Sequence, residues 1–285
     1  MPERLPSMDL DRAQRAIIDE LAVRPTIDVQ QEIRERVSFL ADYLRAAGGR
    51  ALVLGISGGV DSTAAGRLCQ LSVRALRDQG HDARFFAVRL PHGEQRDEAD
   101  AQAALAFIEP DEVLDVDIKP GADGLMQALL VSGLRYADPT AQDVAFGNVK
   151  ARQRMIAQYA IAFAHGGLVV GTDQAAEAVM GFFTKHGDGA CDIAPLTGLT
   201  KRQVRAIASA MGAPDALVHK VPTADLEELR PMRPDEEAYG GVTYTQIDDF
   251  LEGKPIDAQA AAKIVRQHAQ TAHKRALPVT PPRGH

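Results

Sequence analysis

The sequence predicts an α/β protein built on a doubly wound parallel sheet with flanking helices, and three observations predict it. Residues 51–56 (ALVLGI) form an apolar run without polar alternation, as expected of a strand covered on both faces. Short apolar runs of this kind alternate along the chain with segments of helical periodicity, the pattern of parallel strands joined by crossover helices. The first run leads directly into a glycine-rich turn and a helix, and ligands of such sheets collect outside the carboxyl ends of the strands.

Taken in order, Leu10, Ala13, Ile17 and Leu21 form one helical stripe, and Val29, Ile33, Val37, Leu40 and Leu44 a longer one that stops at Gly48 and Gly49. After the first strand a helix is expected over 61–79, with Ala64, Leu68, Leu71 and Ala75 inward and Gly80 at its end. Residues 84–90 read as a second strand, 97–109 as a helix closed by Pro110, 113–118 as a third strand and 124–134 as a helix. A polar connection over 136–146 precedes a helix over 147–164, then a fourth buried strand over 168–172, and Asp173 is expected to start a helix that places Glu177 on the same face. The stretch 184–200 is too long and polar for a simple turn and reads as a binding loop. A helix beginning at Thr200 follows, 221–239 reads as a mobile acidic loop, and helices over 244–252 and 257–274 close the fold. At 285 residues and 45% hydrophobic content the chain suits one principal domain over 1–285, with a helical lead-in over 9–48 and a disordered tail from about 278.

A net charge of −7 and a pI near 5.6 supply no basic field, which argues against nucleic acid as a partner. The two cysteines, Cys69 and Cys191, stand far apart; this excludes a disulfide framework and fits a reducing, cytoplasmic setting, with Cys69 expected in packing. The first nine residues lack the apolar core of a signal peptide, and no run is long enough to span a membrane. His81 and His268 are expected to be solvated, since no metal spacing surrounds them.

The chemistry concentrates at residues 55–62 (GISGGVDS). Gly58 and Gly59 let backbone amides turn inward, and the helix that follows offers unpaired N–H donors at its positive end, a cradle for phosphate. Asp61 would repel a bare phosphate, so its place there makes sense with Mg2+ between the two. By the carboxyl-end rule, Thr172, Asp173 and Glu177 reach the same crevice, where Asp61 and Glu177 could share the ion. Lys201 and Arg202 put cations where a helix dipole disfavours them, which either an anionic ligand or simple solvation of long side chains would explain. Other readings of the loop stay open at this level. Asp61 or Ser62 could be a plain N-cap. Residues 55–59 also fit the G-x-S-x-G elbow of hydrolases, with Ser57 as nucleophile and His219 or His273 as base, although the oxyanion-like segment His165-Gly-Gly follows the serine instead of preceding it. A non-catalytic nucleotide-binding module is the third reading. A Walker A loop is excluded, because no Lys-Ser/Thr pair follows the glycines.

Residues 57–62 (SGGVDS) after a hydrophobic strand resemble the pyrophosphate loop of the N-type ATP pyrophosphatases, which cleave ATP between its α and β phosphates. Further segments resemble the ammonia-dependent NAD synthetases within that group: 89–93 (RLPHG), 147–152 (GNVKAR), 171–177 (GTDQAAE), 181–189 (GFFTKHGDG), 199–203 (LTKRQ), 222–226 (PTADL) and 273–275 (HKR). The likeness runs in one order from about residue 27 to residue 275. It implies the adenine nucleotide alpha hydrolase-like, Rossmann-like fold and the ATP-dependent amidation of deamido-NAD by ammonia through an adenylate, with ATP as co-substrate and Mg2+ as cofactor. By the same resemblance Gly55, Ile56, Ser57, Gly58, Gly59, Val60, Asp61, Ser62, Arg89, Gln95, Thr172, Lys201 and Thr223 bind ATP, while Asp61 and Glu177 hold the metal. Arg152, Lys185, Asp192, His273 and Lys274 match positions that hold deamido-NAD, and a homodimer shares its substrate sites between subunits. Asp61, Lys201 and Ser57 are the candidates for the chemistry. Ammonia is expected as the direct nitrogen donor, since the matched segments and lead-in use the whole chain and leave no glutaminase. Val60 and Gln174 depart from the Gln and His frequent in relatives, and the ending PVTPPRGH lacks the family's acidic and aromatic residues.

Overall fold

The computed structural model describes residues 10–93, 97–223, 226–276 and 278–281. Four parallel strands form the sheet: β1 (Ala51–Gly55), β2 (Arg84–Arg89), β3 (Glu112–Asp115) and β4 (Gly167–Val169). Their order is β3-β2-β1-β4, with Ala51 opposite both Arg84 and Gly167. The chain moves outward from β1 through β2 to β3 and then returns to the other side of β1. The topological switch therefore lies between β1 and β4.

Both faces of the sheet are covered, as the unbroken apolar run predicts. Leu52, Leu54, Phe85 and Ala87 point into a core shared with α2 (Val29–Ala46), α3 (Val60–Asp78) and α8 (Lys201–Ala210). Ala51, Val53, Phe86 and Val88 point the other way, toward α6 (Pro139–Ala164). Leu52, Leu54 and Phe85 are fully buried, each contributing about 1.5–3 kcal/mol of hydrophobic stabilisation. A satellite core joins α1 (Leu10–Glu20), α7 (Ala175–Met180), α11 (Tyr244–Leu251) and α12 (Ala258–Gln270). The remaining helices are α4 (Glu98–Ile108), α5 (Lys119–Val131), α9 (Asp215–Val218), α10 (Asp235–Ala238) and α13 (Ala272–Arg275).

Several boundaries differ from expectation for identifiable reasons. Helix α6 begins eight residues before the expected start at 147, because Asp138 caps it by accepting from Ala141 N at 2.8 Å and Pro139 opens its first turn. Asp173 does not start a helix. The chain stays extended past β4, with Gly171 N on Ile193 O at 2.9 Å and Ala175 N on Leu199 O at 2.8 Å, and Gln174 caps α7 through Ala176 N at 2.6 Å. The last helix breaks at Thr271, whose hydroxyl bonds Gln267 O at 2.7 Å, which separates α12 from α13. The stretch read as a mobile loop carries α10 and an antiparallel bridge between Thr223 and Pro234. Residues 278–281 have no regular structure, and the rest of the expected tail lies outside the described residues. His81 and His268 are not simply solvated: their Nε2 atoms lie 3.0 Å from Gly49 O and 3.2 Å from a Glu20 carboxylate oxygen. Cys69 is buried in α3, which raises its thiol pKa, and both cysteines are free. No helix among the described residues is long and apolar enough to cross a membrane.

Candidate active site

A cavity of about 580 Å³ opens at the carboxyl ends of β1, β2 and β4. Its floor is the 55–62 loop. Gly59 occupies the N-cap of α3 without any side-chain cap, so neither Asp61 nor Ser62 serves the plain capping role. Ser62 Oγ and Thr63 Oγ1 donate to Gly59 O at 3.1 and 2.7 Å, fixing the turn and leaving the first amides of α3 without helical acceptors. Gly58 adopts φ +79°, and a Cβ there would meet Ala101 N at 2.7 Å. The loop thus packs directly on the start of α4, an approach only glycine permits. Val60 is buried in the main core, so a loop that works through backbone amides tolerates an apolar residue at this place. Gln158 Oε1 accepts from Gly55 N at 2.8 Å, satisfying a strand-end amide at the cavity edge.

Ser57 Oγ lies 3.1 Å from Ser62 Oγ and accepts from Gly59 N at 3.3 Å. Among the described residues its hydrogen bonds close the loop on itself and involve no imidazole. The hydrolase reading, which needs a base on Ser57, is not supported.

The wall opposite the loop is charged. Lys201, buried at the start of α8, bonds Asp61 Oδ2 directly and lies 4.0 Å from Glu177 Oε1. Burial alone would lower the Lys201 pKa; the Asp61 and Glu177 carboxylates outweigh it and raise the value. Burial, reinforced by Asp61 and only partly offset by Lys201, pushes the Glu177 carboxyl well above its ordinary range. Asp173 is pushed up to about 7, by burial first and then by the charges of Asp188 and Asp61. Burial also raises Asp188. Several carboxylates thus crowd Lys201, and among the described residues Asp61 Oδ1 is buried without a hydrogen-bond partner. Among the described residues no three His, Cys, Asp or Glu side chains converge as a ligand set. The pair Asp61 and Glu177 nevertheless suits a hard cation that fills its shell with phosphate oxygens and water, as Mg2+ does, and the unpartnered oxygen and surplus negative charge both fit such an ion.

Thr172 and Thr223 line the same cavity, as do Asp173, Lys150 and Asp235. Arg89 stands at the end of β2 outside the lining, its guanidinium on Asp115 at 3.1 Å and also bonded to Glu98. Gln95 lies outside the described residues. The five residues matched to the dinucleotide do not line this cavity. Four of them gather around the turn after α7. Arg152 donates to Lys185 O at 3.1 Å, Lys185 Nζ to His273 O at 2.6 Å, and Lys274 Nζ to Gly181 O and Phe183 O at 2.8 and 2.9 Å. Asp192 instead accepts from Val169 N at 2.8 Å beside β4.

Simple solvation does not explain the buried Lys201, and each cation at the start of α8 has carboxylate partners. Lys201 meets Asp61, and Arg202 meets Asp249 at 2.9 Å and Glu252 at 2.6 Å. Asp248 takes the Lys201 and Arg202 amides at 3.0 and 2.8 Å and so satisfies the helix end. Asp235, Tyr239 and Tyr244 went unnoticed in the sequence, since a tyrosine or an aspartate in an acidic loop carries no spacing signal; in the fold they back Lys201.

The family model described as NAD synthase matches residues 32–278. The chain is 63% identical over 268 residues to the NH(3)-dependent NAD(+) synthetase of Streptomyces coelicolor, covering 94% of this chain and 97% of that protein. Among solved structures it is similar to NAD+ synthetase from Burkholderia pseudomallei, with a TM-score of 0.82 and 58% identity over 95% of this chain and 98% of the other. NMN synthetase from Francisella tularensis is similar with a TM-score of 0.79 and 32% identity over 90% of this chain and 100% of the other.

Proposed function

The chain belongs to the NAD synthase family, and we propose that its cavity amidates deamido-NAD with ammonia at the expense of ATP, yielding NAD, AMP and pyrophosphate. The observation that carries this reading is the convergence of the 55–62 loop, Asp61, Glu177 and Lys201 at the carboxyl ends of the strands. A carboxylate resists ammonia because it is anionic and lacks a leaving group. The nicotinate carboxylate oxygen therefore attacks the α-phosphorus of ATP, the bond to the β-phosphate bridging oxygen breaks, and pyrophosphate departs. Ammonia then attacks the acyl carbon, AMP leaves with its bonding electrons, and the nitrogen loses a proton.

The protein's part is positioning and charge stabilisation. The amides at the start of α3 and the hydroxyls of Ser57 and Ser62 cradle phosphate, and Lys201 stabilises charge on the departing pyrophosphate. Thr172 and Thr223, with Arg89 beyond the lining, complete the nucleotide contacts in this reading, and Gln95, outside the described residues, belongs to the same set. Asp61 and Glu177 would hold Mg2+, which supplies neutralising charge to the phosphates when bound.

Arg152, Lys185, Asp192, His273 and Lys274 would bind the dinucleotide acceptor at a homodimer interface. Support for a second copy comes from apolar side chains turned outward on α5 and α6, with Val131 76%, Phe163 90% and Ile156 53% exposed. Sedimentation of the wild type against Phe163→Asp checks it: a wild-type monomer removes the shared site. A cytoplasmic location belongs to the same reading and is supported by the two free thiols.

The deciding assay supplies Mg-ATP, ammonium and deamido-NAD and follows pyrophosphate, AMP and NAD together. One of each per turnover, with all three reactants required, is the expected result. Amidation of nicotinate mononucleotide in place of deamido-NAD would reassign the acceptor, and pyrophosphate release without any acceptor would overturn the ligase reading.

A further inference from the structure

Lys201 and Asp61 both have work at the nucleotide in the reading above, yet here they are bonded to one another. Mg-ATP must therefore exchange that pair. As Asp61 turns to the cation, the ammonium loses its nearest counter-charge while its side chain, in a residue 2% exposed, stays inside the protein. A buried ammonium deprived of its carboxylate needs another stabilising surface. One is in place. The ring of Tyr244 has its centroid 5.0 Å from Lys201 Nζ, within cation–π range.

That ring is held at both ends. Tyr244 N donates to Glu236 Oε1 at 2.8 Å, and the hydroxyl donates to Asp235 Oδ2 at 2.9 Å while lying 3.0 Å from the Tyr239 hydroxyl. Tyr239 packs edge-on against Phe182, which lines the cavity. Tyr244, Asp235 and Tyr239 are all buried. Burying two hydroxyls and a carboxylate costs free energy that an apolar cluster would not incur, and their bonds to each other recover it only in one ring orientation. The orientation they select presents the ring to Lys201.

We propose that Tyr244, held by Asp235, is a positioning residue for Lys201: its ring face keeps the ammonium aimed into the cavity once Mg-ATP has taken Asp61 from it. The inference rests on the assignment of Lys201 and Asp61 to the nucleotide. The test measures Mg-ATP affinity by calorimetry without any acceptor, and pyrophosphate release per active site with acceptor. Tyr244→Leu, which removes the ring and its hydroxyl, weakens Mg-ATP binding about tenfold and slows release by a similar factor. Tyr244→Phe keeps the ring but loses the tether and weakens binding about threefold; Asp235→Ala matches it, and Asp235→Asn, which retains an acceptor, recovers most of that loss.

The same substitutions in a Lys201→Met background separate positioning from mere packing, because with no ammonium to hold they should add no further loss. Wild-type affinity within twofold in Tyr244→Leu, or an undiminished penalty in the Lys201→Met background, overturns the proposal. Should Tyr244→Leu fail to show a native thermal transition, Tyr244→Phe and Asp235→Ala decide by the same cycle. Because the affinity measurements use no acceptor, a protein that binds Mg-ATP but forms no NAD refutes the acceptor assignment and leaves this result readable.

Discussion

Lys201 and Arg202 are neighbours in the first turn of α8 and meet opposite surroundings. Arg202 faces outward to Asp249 and Glu252, a set in which Lys254 adds a second cation, 2.6 Å from Glu252. Lys201 faces inward to Asp61 and Glu177, with Asp173 and Asp235 in the same cavity wall. In the outer cluster Asp249 and Glu252 each meet both Arg202 and Lys254. The inner one has more carboxylates than cations, and burial first, with that surplus behind it, raises the pKa values of Glu177 and Asp173. A structural ion-pair cluster neutralises itself, whereas a nucleotide site leaves charge for its ligand and cation to neutralise.

The largest effects should come from the inner cluster. Asp61→Ala and Lys201→Met are each expected to lower NAD formation about 10²–10³-fold, the usual loss when one preorganised charge is removed from a reacting phosphate. Steady-state kinetics with all three reactants checks this, and a loss below about tenfold would place the chemistry elsewhere. Next comes Gly58→Ala, which forces a side chain into φ +79° and against Ala101 N at 2.7 Å. It should destabilise the protein by about 1–3 kcal/mol and weaken Mg-ATP binding, as read by urea unfolding and calorimetry.

Asp173 sharpens the comparison through pH. Its folded-state pKa of about 7 exceeds the ordinary 3.8, so between those values the folded state keeps a proton that the unfolded state releases. Stability contributed by this group is thus full below pH 3.8 and is lost as pH rises toward 7. Asp173→Asn should remove that slope, leaving the variant more stable than wild type above pH 7 by on the order of 4 kcal/mol, with the gap vanishing near pH 4. Parallel melting curves across that range decide it, and a constant gap would rule out the titration. The smallest effect belongs to the outer cluster: Arg202→Ala should cost less than about 1 kcal/mol of stability, decreasing further in salt, and leave turnover within about twofold. A large loss of turnover would mean that the two clusters are coupled.

The sheet, its order of alternation and the glycine turn at the end of β1 are legible because they follow from local rules. An unbroken apolar run needs cover on both sides, and two glycines before a helix let the chain turn tightly into its first amides. Helix α6 and the start of α7 differ from expectation where a capping aspartate and a pairing between Gly171 and Ile193 decide the boundary. The cap at Asp138 was readable in principle from Asp-Pro; the pairing was not, since it joins segments 22 residues apart, 193 − 171.

By itself, then, the order of residues determined the parallel α/β architecture, the place of the glycine turn at the end of β1 and the residue types gathered there. Only the tertiary structure decided that Lys201 and Asp61, 140 positions apart in the chain, form one ion pair, that Ser57 hydrogen-bonds within its own loop, and that Tyr244 stands behind the ammonium. Strand periodicity and turn chemistry are carried by a few consecutive residues. Charge compensation depends on which side chains share a low-dielectric recess, and that is settled when α3, α7, α8 and α11 pack together.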